Sequence, residues 1–273
     1  MSRNSIVVLV LCNLAACILF FSWVSTQKVV KEPDGDKRLV YKEEASFWKN
    51  LDFSTFNSLN GQLKDSKAKQ TFWAHTNRRV FDLVSALAMV LIYGLYVLRG
   101  SKEERIERIK GGLYMSVCML AALGFVQVLH SIFEVGRLSP TKIPLEGAIR
   151  LSEYEHIKFD LKDASKQSFP GDHSAVLFII AAFITYYAKR FYSVAAILVA
   201  ATFILPRIVG GGHWMTDIFV GGGALTLITV SWALCTPLQG KFYKWLHKPA
   251  AKLTVLVDKI IPPSYSPQVQ DAS

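Results

Sequence analysis

Six stretches of this chain, residues 6–23, 81–98, 111–133, 174–188, 194–205 and 218–234, are apolar and almost free of charged side chains. A bilayer core takes about 20 such residues per helix, and unbroken apolar blocks do not show the one-sided period of a helix on a soluble domain. The pattern predicts an all-α, polytopic membrane protein built as a bundle of six transmembrane helices. The fourth and fifth blocks are short and reach bilayer length only by taking in their flanks. That places His173, Asp217 and the nearby arginines at the membrane surface, where charge is tolerated, and not at its centre.

Composition agrees with this reading. The chain is 51% hydrophobic with a formal net charge of +10. Its basic residues flank the apolar blocks, so anionic lipid headgroups are the expected counter-charges, and nucleic acid is not an expected partner. Cys12, Cys17, Cys118 and Cys235 all lie within apolar stretches at no ligand-type spacing, which marks them as small buried hydrophobes.

Lysines and arginines in short loops set orientation. Arg3, the loop of residues 99–110, Lys189 with Arg190, and the lysines from Lys241 onward all fall on one side if the spans number six. That side is the cytoplasm, and residues 27–79, 134–173 and 207–217 then face outward. Leu14-Ala15-Ala16-Cys17 has the look of a lipoprotein cleavage box. The apolar run continues past it, however, and a retained anchor helix is expected.

Four regions follow: an N-terminal transmembrane anchor (1–26), an outer amphipathic segment (27–79), a catalytic transmembrane core (80–237) and a basic cytoplasmic tail (238–273). The outer segment opens on charged residues and then turns aromatic, with Phe47, Trp48, Phe53, Phe56, Phe72 and Trp73, as interfacial helices do. The tail carries Phe242, Trp245, Leu246, Leu253, Leu256 and Ile260 among lysines and reads as an amphipathic helix on the inner surface. Residues 262–273 have the composition of a disordered end.

Three outward segments carry chemistry. His213 and Asp217 are four apart, the spacing that puts two side chains on one helix face, so that a carboxylate can hold one ring nitrogen and leave the other to attack. Arg207 precedes them, separated by Gly210-Gly211-Gly212. Guanidinium matches phosphate oxygens, and glycines allow backbone N–H groups to approach them. Pro170-Gly171-Asp172-His173 offers a second imidazole for proton transfer, and Arg137 a further cation. Taken singly, each has a plainer reading: a solvated helix start, an Asp172 N-cap, a basic helix end. No His-Glu-x-x-His, paired aspartate box or cysteine pair accompanies them, so neither a metal nor any other cofactor is expected.

At these residues the chain resembles the type 2 phosphatidic acid phosphatase (PAP2) superfamily, whose signatures are Lys-x6-Arg-Pro, Pro-Ser-Gly-His and Ser-Arg-x5-His-x3-Asp. The third appears as Pro206-Arg207-x5-His213-x3-Asp217 and the second as Pro170-Gly171-Asp172-His173. The first is degraded, with His130 in place of lysine and Leu138 in place of proline after Arg137. Thr76-Asn77-Arg78-Arg79-Val80-Phe81-Asp82, Arg137-Leu138-Ser139-Pro140-Thr141 and residues 162–173 are similar to a narrower group, the Gram-negative lipid A phosphotransferases that draw on undecaprenyl pyrophosphate.

The resemblance implies that His213 is the nucleophile, Asp217 its orienting carboxylate and His173 the general acid and base. It also implies that Arg137 and Arg207 bind phosphate. The charge of the lost lysine would come from His130, Lys142 or Lys166, and the role of the lost serine would fall to the Gly171 amide, Ser168 or Ser174. The implied location is the bacterial inner membrane, multi-pass, with the active site facing the periplasm. The implied substrates are undecaprenyl pyrophosphate and lipid A. A lipid phosphatase of the same superfamily is the alternative, and a non-catalytic membrane protein or transporter is a third.

Overall fold

The computed structural model describes residues 2–33, 35–45 and 47–261. Residues 262–273, expected to be disordered, lie outside the described residues. Helix α1 (Arg3–Val24) leads into a hairpin of β1 (Gln27–Lys31) and β2 (Lys37–Tyr41), then α2 (Phe47–Asn60) and α3 (Lys67–Thr76). The bundle continues with α4 (Arg79–Leu98), α5 (Lys102–Phe133), a short strand β3 (Val135–Gly136), α6 (Asp172–Tyr187) and α7 (Arg190–Val209). A π-helical segment (Asp217–Gly222) opens α8 (Gly223–Cys235), and α9 (Leu238–Ile260) is the last described helix.

Among the described residues five helices are long and apolar enough to cross a membrane: α1, α4, α5, α7 and the segment 217–235. Helix α6, at 16 residues, is apolar but shorter. One core packs α4, α6 and α7 together through Met89, Tyr93, Leu177, Ile184, Ala196, Ala200 and Ile204. A second packs α5 and α6 through Tyr114, Ile179 and Phe183. The opposite faces of α1 and α4 expose Leu11, Ile18, Phe21, Leu83, Leu87, Val90 and Leu91. In water such faces would drive aggregation; in lipid they are the expected outer surface.

Two expectations need correcting. The fold is not wholly helical: β1, β2 and β3 form a small sheet, with β1 antiparallel to β2 (Gln27 opposite Tyr41) and β2 parallel to β3 (Arg38 opposite Gly136). Pro33, Gly35 and the flanking valines are the turn and strand signals, and a run of charges hides their alternation. The basic stretch 99–110 is not a loop either, since α5 begins at Lys102. Ser101 and Glu104 form a reciprocal capping box there, and Glu104–Arg108 (3.0 Å) and Glu107–Lys110 (2.5 Å) pair along the helix, so the charges support a helix start.

Helix α9 is tied down at this end. The buried Arg105 guanidinium donates to Asp258 Oδ1 (2.7 Å) and to the carbonyls of Leu98 (2.9 Å) and Gly100 (3.1 Å). Asp258→Ala leaves a buried donor without its anion, which costs about 1–3 kcal/mol. Thermal unfolding in detergent should show that loss, and trypsin should cut α9 at its lysines faster than in the parent protein.

Candidate active site

The ends of the bundle differ in character. One end gathers the C-terminal ends of α1, α5 and α7 with the N-terminal ends of α4, α6 and the 217–235 segment. All three sequence segments meet there. Ser168 donates through N–H (2.9 Å) and Oγ (3.1 Å) to the Arg137 carbonyl, and the Gly171 N–H donates to the Asp217 carbonyl at 2.9 Å.

His213 lies in the bend before the helix and not on the helix face that its spacing to Asp217 suggested. Asp217 Oδ2 accepts the Trp214 N–H at 2.7 Å and so closes the turn at the helix start. The His213 Nδ1 stands 2.8 Å from the Ser168 carbonyl and 3.6 Å from Asp217 Oδ2. A carbonyl oxygen only accepts, so Nδ1 carries the proton and Nε2 holds the lone pair. The half-buried ring is thus oriented by a backbone group in the second segment as well as by the carboxylate.

His173, also half-buried, places its Nδ1 3.5 Å from Asp82 Oδ1 and lies within electrostatic reach of His213. The same Asp82 oxygen accepts from Arg207 Nη2. Its other oxygen accepts from Lys162 Nζ at 2.5 Å. Arg207 Nη1 turns to Asn77, 3.3 Å from its carbonyl and 3.4 Å from its Oδ1. Asn77 in turn donates to the Pro206 carbonyl at 2.8 Å. The stretch 76–82 therefore splints the end of α7 from outside the bundle's main motifs.

Arg137 is 3% exposed and fully engaged. It donates to Asp217 Oδ1, to Thr216 Oγ1 (2.8 Å), to Asp52 Oδ2 (2.7 Å) and to Tyr41 Oη (3.1 Å). The rings of Trp23, Tyr41 and Trp214 stand 5.0–5.5 Å from its guanidinium carbon. Burial alone would lower its pKa, but the Asp217 and Asp52 carboxylates outweigh this and keep it charged. Burial also raises the Tyr41 phenol to about 12, with Arg137 opposing and Asp52 adding to the shift, so Tyr41 acts as a neutral donor to Asp52 (2.6 Å). The guanidinium fork that the sequence pattern offers to phosphate is held here by Asp217 and Asp52.

Other sequence candidates also land elsewhere. The Gly171 N–H is held by Asp217 and not left for a phosphate oxygen. Gly210 and Gly211 give their amides to the carbonyls of Pro206 (2.9 Å) and Ile208 (3.1 Å), so this glycine run is not an open anion cradle. Gly211 is required by its φ of +74°, and a Cβ at Gly212 would overlap the Lys162 carbonyl oxygen. His130 Nε2 lies 3.0 Å from the Phe169 carbonyl. With Lys166 it lines a cavity of about 520 Å³ beside Asp36 and Arg38 that contains neither His173 nor His213. Lys142 lines another, of about 420 Å³, with Arg150 and Lys158. Sequence reasoning missed Asp52, Tyr41 and Trp23. Asp52 sat unnoticed among the aromatics of residues 47–56, an acid where an interfacial helix needs none.

The sequence profile of the PAP2 superfamily matches residues 111–238. Lipid A 1-diphosphate synthase of Escherichia coli (strain K12) is 32% identical over 240 residues, covering 88% of this chain and 92% of that protein. The chain belongs to the PAP2 superfamily. It is therefore a multi-pass membrane enzyme of the lipid phosphatase and phosphotransferase class. No solved structure matches it.

The buried cluster makes a stability prediction. Arg137→Met strands two carboxylates, which costs about 3–5 kcal/mol. Asp52→Asn should cost much less when added to Arg137→Met than when made alone, since the charge it removes then has no partner. A double-mutant cycle by thermal unfolding in detergent reads that coupling directly.

Proposed function

We propose that this protein transfers the distal phosphate of undecaprenyl pyrophosphate to the 1-phosphate of lipid A through a phosphohistidine. His213 Nε2 attacks the distal phosphorus, and the bond from that phosphorus to the bridging oxygen breaks. His173 gives a proton to the departing undecaprenyl phosphate. The 1-phosphate oxygen of lipid A then attacks the phosphorus, the P–N bond breaks, and His173 regains a proton. The products are lipid A 1-diphosphate and undecaprenyl phosphate.

The carrying observation is the pair of imidazoles at one end of the bundle, each restrained at Nδ1, with Arg207 beside them. Ser168 and Asp217 orient His213. Arg207 binds the transferring group, where a guanidinium stabilises charge on non-bridging oxygens. Arg137 holds Asp217 in place. The similarity over most of both chains to a lipid A 1-diphosphate synthase supports transfer to a lipid acceptor over transfer to water.

The membrane arrangement belongs to the same proposal. Residues 1–26 anchor the chain, 27–79 rest at the outer interface, 80–237 form the catalytic core and 238–273 lie on the cytoplasmic side. Six spans, α6 included, put the basic ends of the bundle in the cytoplasm and the histidines at the periplasmic face of the inner membrane. Phe47 and Phe72 point outward from α2 and α3, as rings at headgroup depth do.

Inner-membrane vesicles containing lipid A and distally labelled undecaprenyl pyrophosphate test the reaction. Label should move to lipid A through an acid-labile phosphoenzyme. His213→Ala should abolish that intermediate, and His173→Ala should slow turnover by about 10²–10⁴-fold. Label found only as free phosphate would make the protein a phosphatase.

A further inference from the structure

We infer that Lys162 is a phosphate-binding residue of this site, supplying the ammonium charge that the degraded first motif lacks, with Asp82 as the carboxylate that holds it in register with Arg207. The inference rests on the reading above only in taking Arg207 and the histidines as the phosphate site.

The placement argues for it in three ways. First, Lys162 and Arg207 bind opposite oxygens of one carboxylate, and His173 stands beside the oxygen that Arg207 takes. A cation sharing Asp82 with Arg207 is within reach of whatever Arg207 binds. Second, the backbone of Lys162 is fixed against the catalytic segment. Its N–H donates to the Asn77 carbonyl at 3.0 Å, and its carbonyl abuts Gly212, next to His213, closely enough that a Cβ there would overlap it. Third, the competing cations are elsewhere. His130 and Lys166 share one neighbouring cavity and Lys142 the other, and Lys166 stands 3.6 Å from Asp36.

The chemistry fits. An ammonium group has three donors, and Asp82 takes one. The Lys162 side chain is 47% exposed, so it can swing toward an arriving group without breaking a packed core. Asp82 offers two oxygens and one charge to three partners. A terminal phosphate brings three non-bridging oxygens and more charge, so Arg207 and Lys162 can turn donors to it while Asp82 still fixes their spacing. This also accounts for a carboxylate in a site meant for anions: it keeps the two cations from repelling one another apart.

The experiment is inorganic phosphate binding to the full-length protein in detergent, followed by phosphorus NMR, together with KM and kcat for undecaprenyl pyrophosphate. Lys162→Met should weaken phosphate binding and raise KM by about tenfold to a hundredfold, the range for one charge-assisted hydrogen bond, with the thermal midpoint unchanged. Lys162→Arg should recover most of both. Lys158→Met, in the same loop, should stay within about twofold. Phosphate binding and KM that stay within about twofold in Lys162→Met overturn the assignment. Phosphate binding is read without turnover, so a failure of the phosphohistidine route, seen with His213→Ala, is separate from a failure of Lys162.

Discussion

A single buried guanidinium governs this end of the molecule. Arg137 is enclosed by three aromatic rings and neutralised by Asp217 and Asp52. Buried carboxylates without a counter-charge are costly, and Arg137 supplies that charge to both. The partners come from far apart in the chain: Asp52 from α2, Tyr41 from β2, Trp23 from α1, and Thr216 and Asp217 from the start of the last bundle segment. The charge requirement thus pins the N-terminal 60 or so residues onto the end that carries His173 and His213. Trp23 stacks on Phe169 at 4.1 Å, so the first helix supports the second histidine segment and does more than anchor.

The two imidazoles are handled alike by different means. His213 is restrained by a backbone carbonyl and a fully buried aspartate, and His173 by a partly exposed aspartate shared with two cations. Each ring turns Nδ1 toward a carboxylate, at 3.6 Å for His213 and 3.5 Å for His173, so Nε2 is the atom that the proposed reaction would use on each. The difference lies in what surrounds the carboxylate. Asp217 belongs to a closed, fully buried cluster, which would hold still the ring proposed to attack. Asp82 belongs to an open one, half-buried and bonded to an exposed lysine, as the proton transfer and phosphate binding proposed for His173, Arg207 and Lys162 would use.

Much of this was legible beforehand. Apolar blocks located α1, α4, α5, α6, α7 and the 217–235 segment, because bilayer length leaves so few alternatives, and spacing brought His173, Arg207, His213 and Asp217 to one end. The hairpin was not legible, since five-residue strands dense in lysine and arginine carry no clear alternation. The glycine run 210–212 misled because glycine reports close approach without saying of what: here the neighbours are Asn77, Thr141 and Lys162, not a ligand. Arg137 misled for a similar reason. A sequence displays a charge but not whether another side chain has already claimed it, and Asp52 lies 85 residues away from Arg137.

That last point bears on how motifs are read. The spacing from His130 to Arg137 keeps the arginine at the end of the bundle that carries His173 and His213, as the superfamily pattern implies. What the arginine contacts there is decided by Asp52, Tyr41 and Trp23, all of which lie outside the matched residues 111–238. Spacing within a motif conserves where a side chain arrives, and the partners waiting there determine its task. Arg137 is gathered with Asp217 and Asp52, and a second group of cations is gathered on another carboxylate. Lys162 and Arg207 are the cations that the fold brings together on Asp82, one from the loop before α6 and one from the last turn of α7.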